Sequence, residues 1–153
     1  MPATETLYEH SFVVGLPAHI LAELAALANR RDFGPGTVIF REGSACDDLF
    51  LIDSGLVALD VQAPGRGPVR ILTIGQGELL GWSALLGSGP MTATATALEQ
   101  TAAFAIPGTR LRALCEQNYE AGFRILKQTC STLALRLTAT RLQLLDLFAE
   151  PSP

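Results

Sequence analysis

Few side chains in this sequence have the types and spacing that catalysis or metal binding requires. His10 and His19 are the only histidines, and both precede the first predicted strand. Metal-dependent enzymes of the jelly-roll class usually hold their metal with histidines and a carboxylate on the roll itself. No acid pair, nucleophile with a base, or P-loop is found, and Gly75-Gln76-Gly77 is typical of a turn. The sequence therefore predicts no catalytic residue and no metal site.

The cysteines indicate the compartment rather than a site. Cys46, Cys115 and Cys130 are odd in number, lie far apart and form no paired spacing, which argues against disulfides and zinc. We interpret them as buried thiols in a reducing compartment, the cytoplasm. Residues 1–8 lack the basic start of a signal peptide, and the charge-free run from Leu79 to Leu98 is too rich in glycine to be a membrane span.

One long segment carries almost no charge. From Ile71 to Thr109 the sequence contains no Lys, Arg or His, and Glu78 and Glu99 are its only charged residues. Side chains of this segment cannot neutralise an anionic ligand, although backbone amides at the start of a helix could still attract one.

The overall composition is that of one compact domain. The chain has 153 residues, of which 48% are hydrophobic and 17% charged, and its net charge is -4. This length suits a single hydrophobic core, and the charge provides no basic footprint for nucleic acid. We expect one domain, 1–153.

The pattern of turns predicts a mainly β domain with flanking helices. Pro17 followed by apolar residues at helical spacing predicts a helix over about 17–29, and glycine and proline clusters then recur up to residue 90. The short runs between these turns predict an antiparallel β-roll or jelly roll over about 31–106, followed by helices over about 108–149. The predicted strands are Thr37 to Arg41, Leu49 to Asp53, Leu56 to Ala63, Val69 to Ile74, Met91 to Ala97 and Thr101 to Ile106.

The last predicted helix, from about Tyr119 to Ala149, has apolar residues at heptad spacing. Two offset series predict one seam for helix pairing. The seam residues are Phe123, Leu126, Cys130, Leu133, Leu137, Thr140, Leu144 and Leu147.

A second apolar set lies on another side of the same helix, at Leu135, Leu142 and Leu145. A helix that rests on one domain needs only one apolar stripe. One interpretation is a helix sunk deeply in its own domain. The favoured interpretation packs one face on the roll and the other on the same helix of a second copy, giving a homodimer.

Two runs carry a resemblance to a known family. Pro35-Gly36-Thr37-Val38-Ile39-Phe40-Arg41-Glu42-Gly43 and Asp48-Leu49-Phe50-Leu51-Ile52-Asp53-Ser54-Gly55 are followed, in family order, by Gly77-Glu78-Leu79-Leu80-Gly81. The chain from about Leu16 to Phe148 resembles the effector domain of the catabolite-activator and FNR-type regulators, which is a cyclic nucleotide-binding domain. The resemblance implies a β-roll, a long dimerisation helix and a regulatory role.

The resemblance also places a ligand cassette at residues 81–93. In cyclic-nucleotide binders this cassette reads approximately Gly-Glu, a short helix and loop, then Arg-Ser/Thr-Ala, in which the glutamate holds the ribose and the arginine the cyclic phosphate. Here Trp82 follows Gly81, and Met91-Thr92-Ala93 occupies the arginine end. Both charged contacts are missing, so the resemblance predicts that ordinary cAMP or cGMP binding is lost.

Matching the cassette and the long helix to the family gives a set of ligand-pocket candidates. Trp82 could stack on a ring or simply fill the core, and Arg141 is the nearest candidate for a replacement cation, the alternative being a solvated side chain. The candidates are Gly81, Trp82, Ser83, Ala84, Met91, Thr92, Ala93, Thr140 and Arg141.

The sequence favours a non-enzymatic sensor or regulatory module that acts as a dimer on an altered ligand or on a partner protein. The alternatives are a domain that does bind cAMP or cGMP, and a cupin-like enzyme, which the scarcity of histidines disfavours. No cofactor is expected. In the resembling transcription factors a helix-turn-helix follows the long helix, but only about five residues follow Phe148 here. We therefore expect no DNA-binding domain, no direct DNA binding and no membrane partner.

Overall fold

The computed structural model describes residues 7–87 and 89–148, with side chains up to Asp146. The helices are α1 (Ala18–Leu27), α2 (Ser83–Leu86), α3 (Gly108–Gln117) and α4 (Tyr119–Phe148). The strands are β1 (Asn29–Phe33), β2 (Val38–Phe40), β3 (Asp48–Ser54), β4 (Leu56–Ala63), β5 (Gly67–Gly75), β6 (Leu79–Leu80), β7 (Thr94–Ala97) and β8 (Thr101–Pro107).

The strands form two four-stranded antiparallel sheets. One has the order β1-β8-β3-β6 and the other the order β2-β7-β4-β5. The long helix α4 follows both sheets. The prediction of an antiparallel roll followed by a long C-terminal helix is confirmed.

Strands β8, β3 and β6 of the first sheet are buried on both faces. Along β3, Leu49 and Leu51 pack into a cluster beneath the helices, while Phe50 and Ile52 pack into a second cluster inside the roll. All four of these side chains are buried. Two buried faces explain why β3 is continuously apolar instead of alternating with polar residues.

We call the two clusters the helical core and the roll core. The helical core consists of Leu7, Phe12, Val13, Leu16, Ile20, Leu24, Leu49, Leu51, Leu79, Leu85, Phe104, Ile106, Leu111, Leu114, Ala121 and Ile125. The roll core consists of Phe33, Phe40, Phe50, Ile52, Val57, Leu59, Ile74, Leu80, Met91, Ala93, Ala95, Ala97, Ala103 and Ala105.

Three strands differ from the sequence expectation, and one of them is the two-residue strand β6, which was not predicted. Strand β1 was not predicted, because Asn29–Phe33 is largely charged and buries only Phe33. It is held at the sheet edge by backbone pairing with β8. Strand β7 begins at Thr94 rather than Met91, and it shows the alternation expected of one packed face, with Ala95 and Ala97 buried.

No helix in the described part of the chain has the length and hydropathy that crossing a membrane requires.

The turn between β3 and β4 depends on a glycine. Gly55 has a φ of 102°, and a Cβ atom there would lie 2.6 Å from the Cα of Thr101 and 2.7 Å from the carbonyl oxygen of Gln100. A side chain at this position would be strained by its backbone angle and would also push the start of β8 away.

We predict that Gly55→Ala lowers the free energy of unfolding by about 2–5 kcal/mol, the sum of backbone strain and overpacking. Gly65→Ala is the matched control, because Gly65 also has a positive φ, 77°, but a Cβ atom added there would meet nothing within 4 Å. We expect the control to lose only about 1 kcal/mol. Urea denaturation of both variants measures the difference, and equal losses would contradict the close approach.

Candidate functional site

The cassette begins where strand β6 turns into the short helix α2. Gly81, at this turn, has a φ of 82°, and a Cβ atom there would lie 2.8 Å from the carbonyl oxygen of Asp48. Only glycine fits this approach without strain. Helix α2 then ends at Gly87, which is left-handed with a φ of 67°.

A small cavity lies between the cassette, the roll and the long helix. Its volume is about 30 Å³. This is room for about one water molecule rather than for a drug-sized ligand, whose pockets start at about 300 Å³. The residues that line it are Phe40, Leu59, Leu80, Gly81, Trp82, Ser83, Met91, Thr92, Ala93 and Arg136.

Met91 lies at the end of the cassette that the resemblance aligns with the family's arginine. Its side chain is buried in the roll core, and its sulfur accepts a hydrogen bond of 3.1 Å from the hydroxyl of Ser83. Its backbone is held by Gly43 and Ser44, through bonds of 2.8 and 2.9 Å. The methionine is therefore an integral part of the roll core.

Trp82, which the resemblance aligns with the family's glutamate, packs on the other side of the cassette from Met91. It is half-buried and packs against the helical core, although it also lines the cavity. Ala84 is buried beside it and is not among the residues that line the cavity.

The cation that reaches the cavity is Arg136, on helix α4. Its Nη2 donates a hydrogen bond to the carbonyl oxygen of Leu79, in strand β6. Its Nε is buried, and no group among the described residues accepts its hydrogen. Burial lowers the pKa of Arg136, and the charge of Glu78 opposes this shift. The carboxylate of Glu78 itself accepts a hydrogen bond of 2.9 Å from the amide of Gly75.

The two candidates on the long helix lie away from this cavity. Arg141 is exposed, and Thr140 faces a groove beside Val69 and Ile71 of strand β5. Because a helix turns by about 100° per residue, Arg141 points about 140° away from Arg136. The expectation that Arg141 would be the nearest replacement cation is corrected by this geometry.

A second arginine, also missed from the sequence, braces the cassette from helix α3. The Nη1 of Arg112 donates to the carbonyl oxygen of Ala84 and lies 3.2 Å from a carboxylate oxygen of Asp47. Asp47 also accepts a bond of 3.2 Å from the amide of Thr109. Arginines from the two C-terminal helices therefore hold strand β6, through Leu79, and the start of the cassette, through Ala84.

The seam residues of helix α4 point mostly into solvent. Phe123, Leu137 and Leu144 are 67%, 53% and 53% exposed. Leu126, Cys130 and Thr140 are also exposed and Leu133 is half-buried. The side chain of Leu147 lies outside the described residues.

The side of α4 that rests on the domain is a third stripe, not predicted from the sequence. It consists of Ala121, Ile125 and Thr129, which are buried. The second apolar set, Leu135, Leu142 and Leu145, is exposed, whereas Thr140 and Leu144 of the predicted seam border a groove beside strand β5.

The histidines and cysteines form no site within the described residues, where no group of three possible metal ligands occurs. His10 is buried, with its Nε2 3.2 Å from the carbonyl oxygen of Ile52 and its Nδ1 3.2 Å from the amide of Phe12. Burial lowers the pKa of His10. The expectation of buried thiols is wrong for Cys130, which is exposed on the outer side of α4, and Cys46 and Cys115 are only half-buried.

The chain is similar in sequence to regions of two larger bacterial proteins. The chain is 29% identical over 150 residues to the CRP-like cAMP-activated global transcriptional regulator of Mycobacterium tuberculosis, covering 97% of this chain and 65% of the regulator. It is 34% identical over 134 residues to glutaminase 1 of Bradyrhizobium diazoefficiens, covering 88% of this chain and 21% of the glutaminase. The chain thus spans only part of the length of these relatives.

The fold is shared with a solved cyclic nucleotide-binding domain from Methylobacillus flagellatus. The two structures align with a TM-score of 0.85 and 19% identity, covering 98% of this chain and 86% of the other. The family model described as the cyclic nucleotide-binding domain matches residues 30–118, which contain the roll and the whole cassette. The chain belongs to the cyclic nucleotide-binding domain family, whose roll, cassette and long helix it contains.

Proposed function

We propose that this chain is a non-enzymatic regulatory module that acts as a dimer and has lost the binding of cAMP and cGMP. The observation that carries the proposal is the buried thioether of Met91, which fills the place of the cassette arginine. A methionine offers no charge and no hydrogen-bond donor to a phosphate.

The size of the cavity supports the loss of the ligand. About 30 Å³ remain between Met91, Trp82 and the long helix, which is about a tenth of the volume that pockets for drug-sized ligands provide. Met91 and Phe40 belong to the roll core. Opening a nucleotide-sized space would therefore disturb packed core residues, at a cost of several kcal/mol.

The position of the positive charge at the cavity also supports the loss of nucleotide binding. The cation there is Arg136, which donates to the carbonyl oxygen of Leu79 and projects from the long helix instead of from the cassette. A cyclic phosphate is held best by an arginine that presents two parallel donors to its oxygens. An arginine already bonded to the backbone has fewer donors for that task.

The described residues also argue against an enzyme. Both ring nitrogens of His10 are engaged with backbone groups, and His19 is exposed on helix α1. The matched glutaminase shares a region that spans only 21% of its length. We propose that this chain, like an accessory region of a larger protein, contributes regulation and no chemistry.

The dimer is proposed from the exposed side of helix α4. Large apolar side chains stand in solvent at heptad spacing along a helix of 30 residues. Such a surface is stabilised when a second helix covers it, and a second copy offers the same seam. The output of this dimer is proposed to act on a partner protein in the cytoplasm.

We predict that the purified chain shows no calorimetric binding of cAMP or cGMP at tens of micromolar. Each missing charge-assisted contact is worth about 1.5–3 kcal/mol, so their joint loss removes roughly two to four decades of affinity. Micromolar binding by the unaltered chain would overturn the proposal.

The restoring variant combines Trp82→Glu with Met91→Arg, which rebuilds both family contacts on the same roll. We expect it to gain cyclic-nucleotide affinity, provided that the loop before Met91 keeps a compatible shape. The matched control combines Trp82→Glu with Met91→Gln, which has similar length but no charge, and it should gain little. Equal behaviour of the two variants would show that the alignment of the cassette arginine is wrong.

We predict that the chain is a dimer and that Leu137→Asp splits it. This position lies mid-seam, and a charge there would be desolvated at a cost of several kcal/mol. Light scattering at high micromolar concentration measures the state. A monomeric parent chain would refute the dimer.

Leu142→Asp is the matched control, since Leu142 is 59% exposed against 53% for Leu137 but lies on the other side of the helix. We expect this variant to stay dimeric. In a parallel two-fold pair Cys130 also faces its own copy, so mild oxidation should link two chains, and Leu137→Asp should abolish the link. If Leu142→Asp splits the dimer and Leu137→Asp does not, the dimer interface is formed by the second apolar set.

A further inference from the structure

We propose that Arg136 is an internal tether that takes over the position of a ligand and fixes the long helix on the cassette, so that the module needs no nucleotide to orient its dimer helix. This inference rests on the proposed loss of nucleotide binding and concerns the regulation of that same site.

The first observation is where helix α4 loses its contact with the domain. Its fully buried side chains end at Thr129, and every described side chain after it is half-buried or exposed. Arg136 lies seven residues, or roughly 10 Å of helix, beyond that point. The second half of the helix therefore has little apolar packing to hold it against the roll.

The second observation is the hydrogen bonding of this half of the helix. Among the described residues after Thr129, Arg136 makes the one hydrogen bond that joins the helix to a strand, through its Nη2 and the carbonyl oxygen of Leu79. The other side-chain bonds there, from Thr138 and Thr140, run to carbonyl oxygens within the helix.

The third observation is that the arginine enters the ligand cavity itself. Its side chain lines the same space as Trp82 and Met91, and its Nε is buried there. Burying a guanidinium donor that has no acceptor costs free energy, so the position of Arg136 in the cavity is not explained by the hydrogen-bonding needs of its own side chain. Arg136 thus joins the three parts that meet at the cavity: the cassette, strand β6 and the long helix.

The consequence concerns control of the dimer. A ligand that bridged cassette and helix would orient the seam only when present, whereas a side chain of the same polypeptide is always present. Leu137 directly follows Arg136, and Thr140 lies four residues after it, so the tether sets the direction of both seam residues. The seam is therefore expected to keep its direction when no ligand is present.

The test uses the full chain with Arg136→Ala, and Arg141→Ala as the matched control, because Arg141 is an exposed arginine on the same helix. Trp82 is the single tryptophan and lines the cavity, so its fluorescence quenching by acrylamide reports cavity opening. Hydrogen exchange by mass spectrometry reports the freedom of residues 130–146.

We expect Arg136→Ala to raise the quenching of Trp82 and to speed amide exchange in residues 130–146 roughly tenfold, the effect of losing a hydrogen bond from a charged donor. Arg141→Ala should change neither. Unchanged quenching and exchange in Arg136→Ala would overturn the tether.

Two further experiments cover a folding defect of Arg136→Ala and the separation of the tether from the dimer. If Arg136→Ala does not fold, the Arg136→Lys variant provides the test. The lysine side chain is shorter and has fewer donors, so we expect Trp82 quenching and amide exchange between those of the parent chain and those of a chain without the tether. Values equal to those of the parent chain would overturn the tether. Repeating the pair of alanine variants in the monomeric Leu137→Asp background separates the proposals, since the tether lies within one chain and its effect must persist there. Light scattering tests the dimer and calorimetry tests the loss of nucleotide binding. Both measurements are independent of the Trp82 quenching and the amide exchange that test the tether.

Discussion

The rest of the structure depends on one constraint, the burial of both faces of strands β8, β3 and β6 in the first sheet. Leu79 and Leu80 of strand β6 are adjacent, yet one belongs to the helical core and the other to the roll core. The cassette continues directly from this strand, and Gly81 lies against the carbonyl of Asp48. The cassette side chains are divided between the same two cores, since Trp82 packs against the helical core and Met91 belongs to the roll core.

This division shows why the two departures from the family pattern are compatible with a stable fold. A charged residue at either position would have to face a cavity that solvates or pairs it, because a buried unpaired charge is costly. With Trp82 and Met91 in their places, each side chain adds apolar contact to the core it faces. Trp82 and Met91 therefore increase the packing around the site.

The sequence predicts much of the roll and little of the helix orientation. Glycine and proline clusters locate β3, β4, β5 and β8 closely, because turns interrupt the chain wherever the roll reverses. Strand β6 has only two residues and leaves no periodic signal. On helix α4 hydrophobicity indicates Leu137 as a contact residue, but the side that rests on the domain consists of Ala121, Ile125, Thr129 and Arg136. Arg136 could have been found from its spacing, since it lies eleven residues, close to three turns, after Ile125.

The free energy that the Arg136 hydrogen bond contributes is comparable with the free energy that a bound ligand contributes. This explains how an internal tether can replace a ligand. A ligand at 100 times its dissociation constant stabilises the state it binds by about 2.7 kcal/mol. A hydrogen bond from a charged donor contributes about 1.5–3 kcal/mol before the cost of burying that donor. The bond of Arg136 requires no external concentration, because donor and acceptor belong to one chain. The desolvation cost of the buried guanidinium lowers the net contribution of this hydrogen bond to stability. The benefit of Arg136 therefore lies in fixing the direction of helix α4 for its partner. A buried arginine beside an apolar cassette is therefore better explained by the position of the helix than by the stability of the roll.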